Sequence, residues 1–388
     1  MLLILSNGSG EDRIGAEIAQ AWRRQRPDDL IQALALVGTG TAYRAAGVEL
    51  LPPCFSPPSA GFAYLQPRLL WRDLRAGLLP HLQQSCQLLR QHPARRVIAV
   101  GDVVPLLASL ALPQAAGIQR AFVACALSEY YLGTKRQKGK TVFDPLQRRL
   151  LRRFGIPVFA RDALTAASLQ RFGVDARCVG NLMLDAVGTA SEMAPAWPGP
   201  VVGLLPGSHH DAPANLALML AQLAPACQHT LQLVLLQAPQ LPAGQLQPVL
   251  ARAGWTETTR GQWAKAQARL CFWPARHYQT LLHKADLMVG LAGTANEQAV
   301  GYGVPVLSFA AAGAAQYTWR FGEAQQRLLG AGLCFLGDPH PQLVSWQLLR
   351  MLREPAYRRA AHQSAAERFG QPGGTLRLVQ AFELAAQA

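Results

Sequence analysis

Short runs of Val, Leu and Ile recur between helical stretches of this chain, in two series separated by a proline-rich break. The first series is Met1–Ser6, Gln32–Val37, Val97–Gly101, Arg120–Cys125, Pro157–Ala160 and Arg177–Gly180. The second is Val201–Pro206, Leu231–Leu236, Arg269–Pro274, Asp286–Gly290, Val304–Phe309 and Gly332–Leu336. Apolar runs of this length suit strands covered on both faces, as in a parallel sheet with helices on either side. Because strand and helix alternate throughout, each series predicts a doubly wound, Rossmann-like α/β domain. Gly188–Pro200 (GTASEMAPAWPGP) carries three prolines and two glycines and reads as a linker. The expected division is 1–187, linker 188–200 and 201–388, with the last helix able to cross back to the first half. A length of 388 residues suits two domains of roughly 190 residues each. Open α/β sheets bind ligands at the carboxyl ends of their strands, so two such domains facing a cleft would bring two ligands together.

Composition removes several alternatives. Half the residues are hydrophobic and only 15% are charged, which excludes a disordered chain. The seven cysteines are scattered, odd in number and never form CxxC, so they read as buried thiols of a reducing compartment. MLLILS lacks a basic flank and predicts no cleavable signal. The uncharged stretches Val103–Gln119 and Gln298–Trp319 are broken by proline and glycine, and neither predicts a membrane-spanning helix. The formal net charge of +14 is unevenly spread: nine basic residues stand against Asp144 alone between Lys135 and Arg161. Such a patch attracts phosphates, on lipid or on nucleic acid. No nucleic-acid-reading motif accompanies it, so the lipid surface ranks ahead.

Four places carry candidate chemistry. In Gly290–Phe309 (GLAGTANEQAVGYGVPVLSF) an apolar strand, Asp286–Gly290, runs into Ala292–Gly293–Thr294, and a helix is predicted from about Ala295. Gly293, Thr294, Ala295 and Asn296 would offer backbone N–H groups and a positive helix end to an anion. Glu297 could accept from two vicinal hydroxyls, as a ribose offers, so the order of parts suits a sugar nucleotide. The same residues also fit an ordinary strand–helix–strand unit with a solvated Glu297. In Val202–Ser208 (VGLLPGS), Gly207 and Ser208 could hold a diphosphate, with His209 as a further donor. His209–His210–Asp211 lacks metal-ligand spacing and reads better as a solvated loop. In Ser6–Asp12 (SNGSGED), Gly8, Ser9 and Gly10 open a loop toward a phosphate, whereas Glu11 and Asp12 also suit the acidic first turn of a helix. Asp102 directly follows VIAVG, where a carboxylate in apolar surroundings suits a general base and equally suits the N-cap of a helix near Pro105. No DxD pair is present, so no metal and no cofactor are expected.

Two further segments mix arginine with apolar residues. Phe62–Leu82 sets Leu69, Leu70, Leu74 and Leu78 near helical spacing, with Trp71, Arg68, Arg72 and Arg75 between them. Pro145–Phe154 sets Leu146, Leu150 and Phe154 against Arg148, Arg149, Arg152 and Arg153. Each fits an amphipathic helix packed on its own domain. Together they point to an anionic membrane surface, with Leu70, Trp71 and the four arginines in contact.

These motifs as a set resemble lipid-A-disaccharide synthase and its related proteins, inverting glycosyltransferases of the two-Rossmann (GT-B) kind. The family's opening GExSGDxxGA compares with Asn7–Ala16 (NGSGEDRIGA), its strand-end Asp with Asp102, and its LLPGSR loop with Leu204–Ser208. Its SGTATLEA compares with Ala292–Ala299 (AGTANEQA), and its GHPxxD with Gly180–Asp185 (GNLMLD). The chain departs from the pattern at His209, at Leu182 and in Ala126–Tyr131 (ALSEYY), which leaves sugar and acceptor open. The resemblance implies a cytoplasmic enzyme at the cytosolic membrane face, with a UDP-sugar and a lipid-linked acceptor as partners and no nucleic acid. It implies Asp102 as base with Glu11 and Asp12 beside it, Gly8, Ser9 and Gly10 toward the acceptor, and Gly207–His209 with Gly293–Glu297 on the uridine diphosphate. Gln316 and Gln325 are further acceptor-side candidates. A UDP-sugar epimerase of the same architecture and a catalytically silent lipid- or nucleotide-binding module are the alternatives.

Overall fold

The computed structural model describes all residues except 56–66, 114–116, 139, 189, 191–197, 209–210, 239–240, 312–316 and 385–388, together with the side chains of 9, 67–70 and 134–138. The chain divides into two compact units, Met1–Ala186 with Gly370–Ala388, and Val187–Phe369.

The first unit holds β1 (Leu2–Asn7), β2 (Ile31–Val37), β3 (Glu49–Leu50), β4 (Arg96–Val100), β5 (Gln119–Ala124), β6 (Val158–Ala160) and β7 (Ala176–Arg177). They form one sheet in the order β3-β2-β1-β4-β5-β6-β7, parallel at every pairing. Side chains alternate across a strand. Leu2 and Ile4 therefore pack with Ile14, Ile18 and Trp22 of the Ser9–Gln25 helix, while Leu3 and Leu5 pack with Leu89 and Leu112 on the other face. Both faces are covered, and this explains the unbroken apolar run in β1.

The second unit holds β8 (Val201–Leu205), β9 (Leu231–Gln237), β10 (Thr256–Thr259), β11 (Gln262–Lys265), β12 (Ala268–Pro274), β13 (Leu287–Gly290), β14 (Val306–Phe309) and β15 (Leu333–Leu336). Their order is β10-β11-β12-β9-β8-β13-β14-β15. From β12 to β15 the pairings are parallel, and β10 and β11 add an antiparallel edge.

Three sequence expectations need correction. The β10–β11 hairpin was not anticipated, because Thr256–Thr259 is exposed throughout and lacks an apolar run. Its available signals were the threonine alternation and the turn at Gly261, which adopts φ +78°. The strand expected at Arg177–Gly180 is only Ala176–Arg177. The chain leaves the sheet there to receive the C-terminal segment: a Cβ at Gly180 would lie 2.7 Å from the Gln371 carbonyl oxygen, and Arg377 Nε donates to the Val179 carbonyl at 2.8 Å. Third, Cys54 is exposed, whereas Cys125 and Cys227 are buried. Most of the expected linker lies outside the described residues.

The GNLMLD motif has a structural task in this arrangement. The Asp185 carboxylate accepts from the Gly373 N–H at 2.6 Å and the Thr375 N–H at 2.7 Å, satisfying free donors at the start of the Gly374–Leu384 helix. Leu378, Val379 and Phe382 of that helix then enter the first unit's core, with the Phe382 and Trp22 rings 6.0 Å apart. Asp185→Ala is expected to lower the stability of the first unit by about 1–2 kcal/mol, measured by chemical denaturation.

Candidate functional site

In each unit the strand order reverses beside the first strand. The chain adds β2 and β3 on one side of β1, then β4 to β7 on the other. It adds β9 and β12 on one side of β8, then β13 to β15 on the other. At such a reversal the connections from adjacent strands part to opposite faces of the sheet and leave an opening at their carboxyl ends, where α/β proteins bind ligands.

In the first unit this position holds Asn7, Glu11, Asp12, Asp102 and Cys125. Asp102 caps the Val103–Ser109 helix: its Oδ1 accepts from the Val104 N–H at 2.8 Å and its Oδ2 from Asn7 Nδ2 at 3.1 Å. The two readings of Asp102 are therefore compatible, since each carboxylate oxygen keeps a further acceptor site. Burial raises its proton affinity above the ordinary aspartate value, and the bonds from Val104 and Asn7 offset part of that rise. Glu11 lies beside it, with Cγ 3.1 Å from where a Gly101 Cβ would stand and Oε2 2.8 Å from that of Gly8. Burial pushes the Cys125 thiol well above its usual range, and Glu11 and Asp102 add to the rise. Gly8 and Gly10 stand at the opening of the Ser9–Gln25 helix, and Ser9 is on its first position with its side chain outside the described atoms.

Asp12 is turned inward. Only 3% of it is exposed, Ser6 Oγ donates to its Oδ1 at 2.6 Å, and the Tyr43 hydroxyl donates to Ser6 Oγ at 2.9 Å. Gly15 makes this relay fit, because a Cβ there would come 2.0 Å from the Tyr43 oxygen. Burial raises Asp12 to about 6, against smaller lowering effects from Ser6 and the Gly40 N–H. Asp12 is thus neither a solvated helix-start acid nor an exposed catalytic group.

In the second unit the reversal lies between β8 and β13, and the Leu291 N–H donates to the Leu205 carbonyl at 3.0 Å, keeping the two following loops side by side. Gly207, at φ +101°, turns the first loop, and Ser208 is exposed after it. Gly293 precedes the Thr294–Gly301 helix, which starts one residue before the expected Ala295. Thr294 is exposed, and Ala295 and Glu297 are half-buried on the first turn. The Tyr278 hydroxyl holds the Ala295 carbonyl at 2.5 Å.

Two expected site residues point the other way. The Asn296 side chain is fully buried and donates to the Gly290 carbonyl at 3.2 Å and Gln325 Oε1 at 3.0 Å, so a ligand could meet only its backbone. Gln325, expected on the acceptor side, is 3% exposed and lies beneath the loop with Nε2 on the Ala292 and Gly293 carbonyls. Their amides compensate buried backbone groups, a demand the linear sequence does not display. His209 and Gln316 lie outside the described residues, as does His210. Asn7, Asn215, Tyr317 and Ser308, whose hydroxyl donates to the Gly290 carbonyl at 2.6 Å, lie outside the expected site residues, and only Asn7 carries a sequence signal, its place inside the first glycine motif. Among the described residues no group of three His, Cys, Asp or Glu side chains could hold a metal ion.

The basic helix Pro145–Arg153 is anchored by Leu151, not by the expected face of Leu146, Leu150 and Phe154. Leu146 is 66% and Phe154 37% exposed, beside exposed Arg149, Arg152 and Arg153. Arg148 stacks with Cζ 3.8 Å from the Phe172 ring centre, and Arg152 donates to the Phe172 carbonyl at 3.3 Å. Trp71, on the Pro67–Arg75 helix, is 65% exposed. The side chain of Leu70, and all of 56–66, lie outside the described part. No described helix is long and apolar enough to cross a membrane.

Comparison with known proteins places the fold. No family model and no curated protein sequence matches the chain. Solved structures do. UDP-GlcNAc 2-epimerase from Neisseria meningitidis, bound to UDP-GlcNAc, aligns with TM-score 0.58 and 12% identity over 99% of this chain and 100% of that one. The calicheamicin glycosyltransferase aligns with TM-score 0.61 and 14% identity over 98% of each. The Methanocaldococcus jannaschii UDP-GlcNAc 2-epimerase, in complex with UDP-GlcNAc and UDP, gives 0.53 and 14% over 99% of each. The fold is GT-B, two α/β units each built on a mainly parallel sheet.

The buried acid yields a direct check. Carboxyl NMR should place the Asp12 midpoint near 6, above the ordinary 3.8. Because the folded value is raised, ionising Asp12 costs the fold roughly 3 kcal/mol. Its contribution to stability is complete below about pH 4 and is lost as pH rises through about 6. Denaturation across this window should show that slope in the wild type and a flatter profile in Asp12→Asn.

Proposed function

We propose that this chain is an inverting glycosyltransferase. It moves a sugar, of the N-acetylglucosamine type, from a UDP-sugar to a lipid-linked acceptor at the cytosolic face of a membrane, as lipid-A-disaccharide synthase-like proteins do. The observation that carries the reading is the placement of the polar motifs at the strand-order reversal of both sheets: a half-buried, hydrogen-bonded carboxylate in one unit and paired glycine loops in the other. The likeness to folds solved with UDP or UDP-GlcNAc supports a nucleotide-sugar ligand.

On this reading Asp102 takes the proton of the acceptor hydroxyl, and the freed oxygen forms a bond to the anomeric carbon. The bond from that carbon to the diphosphate breaks, its electron pair stays on the diphosphate, and the configuration inverts. Burial suits Asp102 to the task, because a raised proton affinity makes it a stronger base than a solvated aspartate. Gly207, Ser208, Gly293, Thr294 and the start of the Thr294–Gly301 helix carry the departing negative charge through backbone N–H groups, with Glu297 on the ribose. Gly8, Ser9 and Gly10 face the acceptor. Donor charge is met by the protein's own dipoles, and no resident metal or cofactor enters the reading.

A second reading, a UDP-sugar epimerase, has equal support from the solved structures and would use the first unit's acids on the donor alone. Incubation with UDP-N-acetylglucosamine separates the two. Label passing into a lipid extract selects transfer; an epimer formed without acceptor selects epimerisation; binding of UDP with neither product identifies a silent nucleotide-binding module. Asp102→Asn is expected to abolish transfer while UDP affinity by calorimetry persists, and near-normal turnover removes Asp102 from the mechanism.

On this reading membrane contact falls to Trp71 and to the exposed face of Pro145–Arg153, and the exposure of Leu146 and Phe154 beside the arginines supports it. The protein should sediment with phosphatidylglycerol vesicles and be released in high salt, and Arg149→Glu with Arg153→Glu should weaken this about tenfold. Equal sedimentation with neutral vesicles would count against it.

A further inference from the structure

Each glycine loop of the second unit is fastened from beneath by a buried side-chain amide. Asn215, on the Ala212–Gln222 helix, donates through Nδ2 to the Pro206 carbonyl at 2.9 Å. Gln325, on the Trp319–Leu329 helix, donates through Nε2 to the Ala292 carbonyl at 3.3 Å and the Gly293 carbonyl at 2.9 Å. Both side chains are 3% exposed, so water competes little for these bonds. The orientation of the Gln325 amide is dictated by its neighbours. Its Oε1 accepts from the Tyr317 hydroxyl at 2.6 Å and from Asn296 Nδ2 at 3.0 Å, which leaves only the NH2 group to face the loop. Gly290 admits this network, since a Cβ there would lie 1.8 Å from Asn296 Oδ1.

Across a trans peptide the carbonyl and the following N–H point in opposite directions. Holding the Pro206, Ala292 and Gly293 carbonyls inward therefore turns the Gly207, Gly293 and Thr294 N–H groups outward, at the carboxyl ends of β8 and β13. Among the described residues no acceptor partners the Gly207 or Gly293 N–H. An anion with two linked phosphoryl groups can bond to both loops at once.

We propose that Asn215 and Gln325 are positioning residues for a diphosphate: they hold the two loops with their N–H groups already aimed at it, and they do not touch the ligand. The proposal rests on the donor reading above and adds to it how the donor's charge is met without reorganisation.

Calorimetry on the full chain with UDP, inorganic pyrophosphate and uridine tests it. Gln325→Met keeps the side-chain length and removes the donors, and Asn215→Leu does the same for the other loop. Each is expected to weaken UDP and pyrophosphate about tenfold, the worth of one charge-assisted hydrogen bond, and to leave uridine affinity unchanged. Tyr317→Phe preserves ring packing while removing one donor to Gln325 Oε1, and should cost about threefold on the same two ligands. It keeps the test open if a larger change prevents folding. A loss shared equally by uridine would indicate general damage and overturn the proposal, as would unchanged UDP and pyrophosphate affinities. A wild-type chain that binds neither UDP nor pyrophosphate overturns the donor reading itself, and the positioning role falls with it.

Discussion

A parallel sheet that grows outward on both sides of its first strand must leave an opening where the two directions part, and this chain depends on that constraint twice. Neither opening can be closed by the chain's own regular structure, because the strands on either side send their connections to opposite faces. The free backbone groups there need other partners. In the first unit the Asp102 carboxylate takes the Val104 N–H, and the Asn7 amide donates to its other oxygen. In the second, buried amides take the carbonyls and leave N–H groups facing out. One topology thus yields an acidic end and an end with outward-facing N–H groups, and the difference lies in which backbone groups the polar side chains occupy.

The legible part of the fold was the part ruled by burial. Strands such as β1 and β8 are covered on both faces and keep nearly unbroken apolar runs, so their places could be read from the sequence. The β10–β11 hairpin sits at a sheet edge with Thr256–Thr259 exposed, and nothing there demands an apolar pattern. The glycine motifs were legible for a different reason: close approach forbids a side chain, as Tyr43 does at Gly15 and Asn296 at Gly290. Direction was not legible. A polar residue beside a glycine loop can face the ligand or face the backbone, and Asn296 and Gln325 both face the backbone. Their residue types are the same in either case, and only the packing of Tyr317 and the Trp319–Leu329 helix decides.

The same burial separates the two neighbouring acids of the first glycine motif. Asp12 is paid for by local hydrogen bonds from Ser6 and Gly40, yet desolvation still wins and lifts it to about 6. Its bonds to Ser6 and, through Ser6, to Tyr43 tie β1 to the Thr41–Ala45 helix, which makes it part of the scaffold. Glu11, one residue earlier, lies instead over Gly8 and Gly101 at the end of β4. A shift of one position along a helix rotates the side chain by about 100°, which is enough to send one carboxylate into the core and the other to the carboxyl end of β4.

The relation of Glu11 to Asp102 also weighs on the chemistry. Glu11, on the first turn of the Ser9–Gln25 helix, lies against Gly101, the residue before Asp102, and both acids raise the Cys125 thiol. Epimerisation at a carbon requires a proton to leave one face of the ring and return to the other, which calls for acid and base groups on opposing sides or for an intermediate that turns over between them. Transfer to an acceptor hydroxyl needs one base on one side, while the leaving charge is met elsewhere. On the proposed reading Asp102, held by Asn7 and Val104, is the single base that transfer needs, whereas epimerisation would call for a further group. That requirement supports the transferase reading proposed above, and the fold accommodates both.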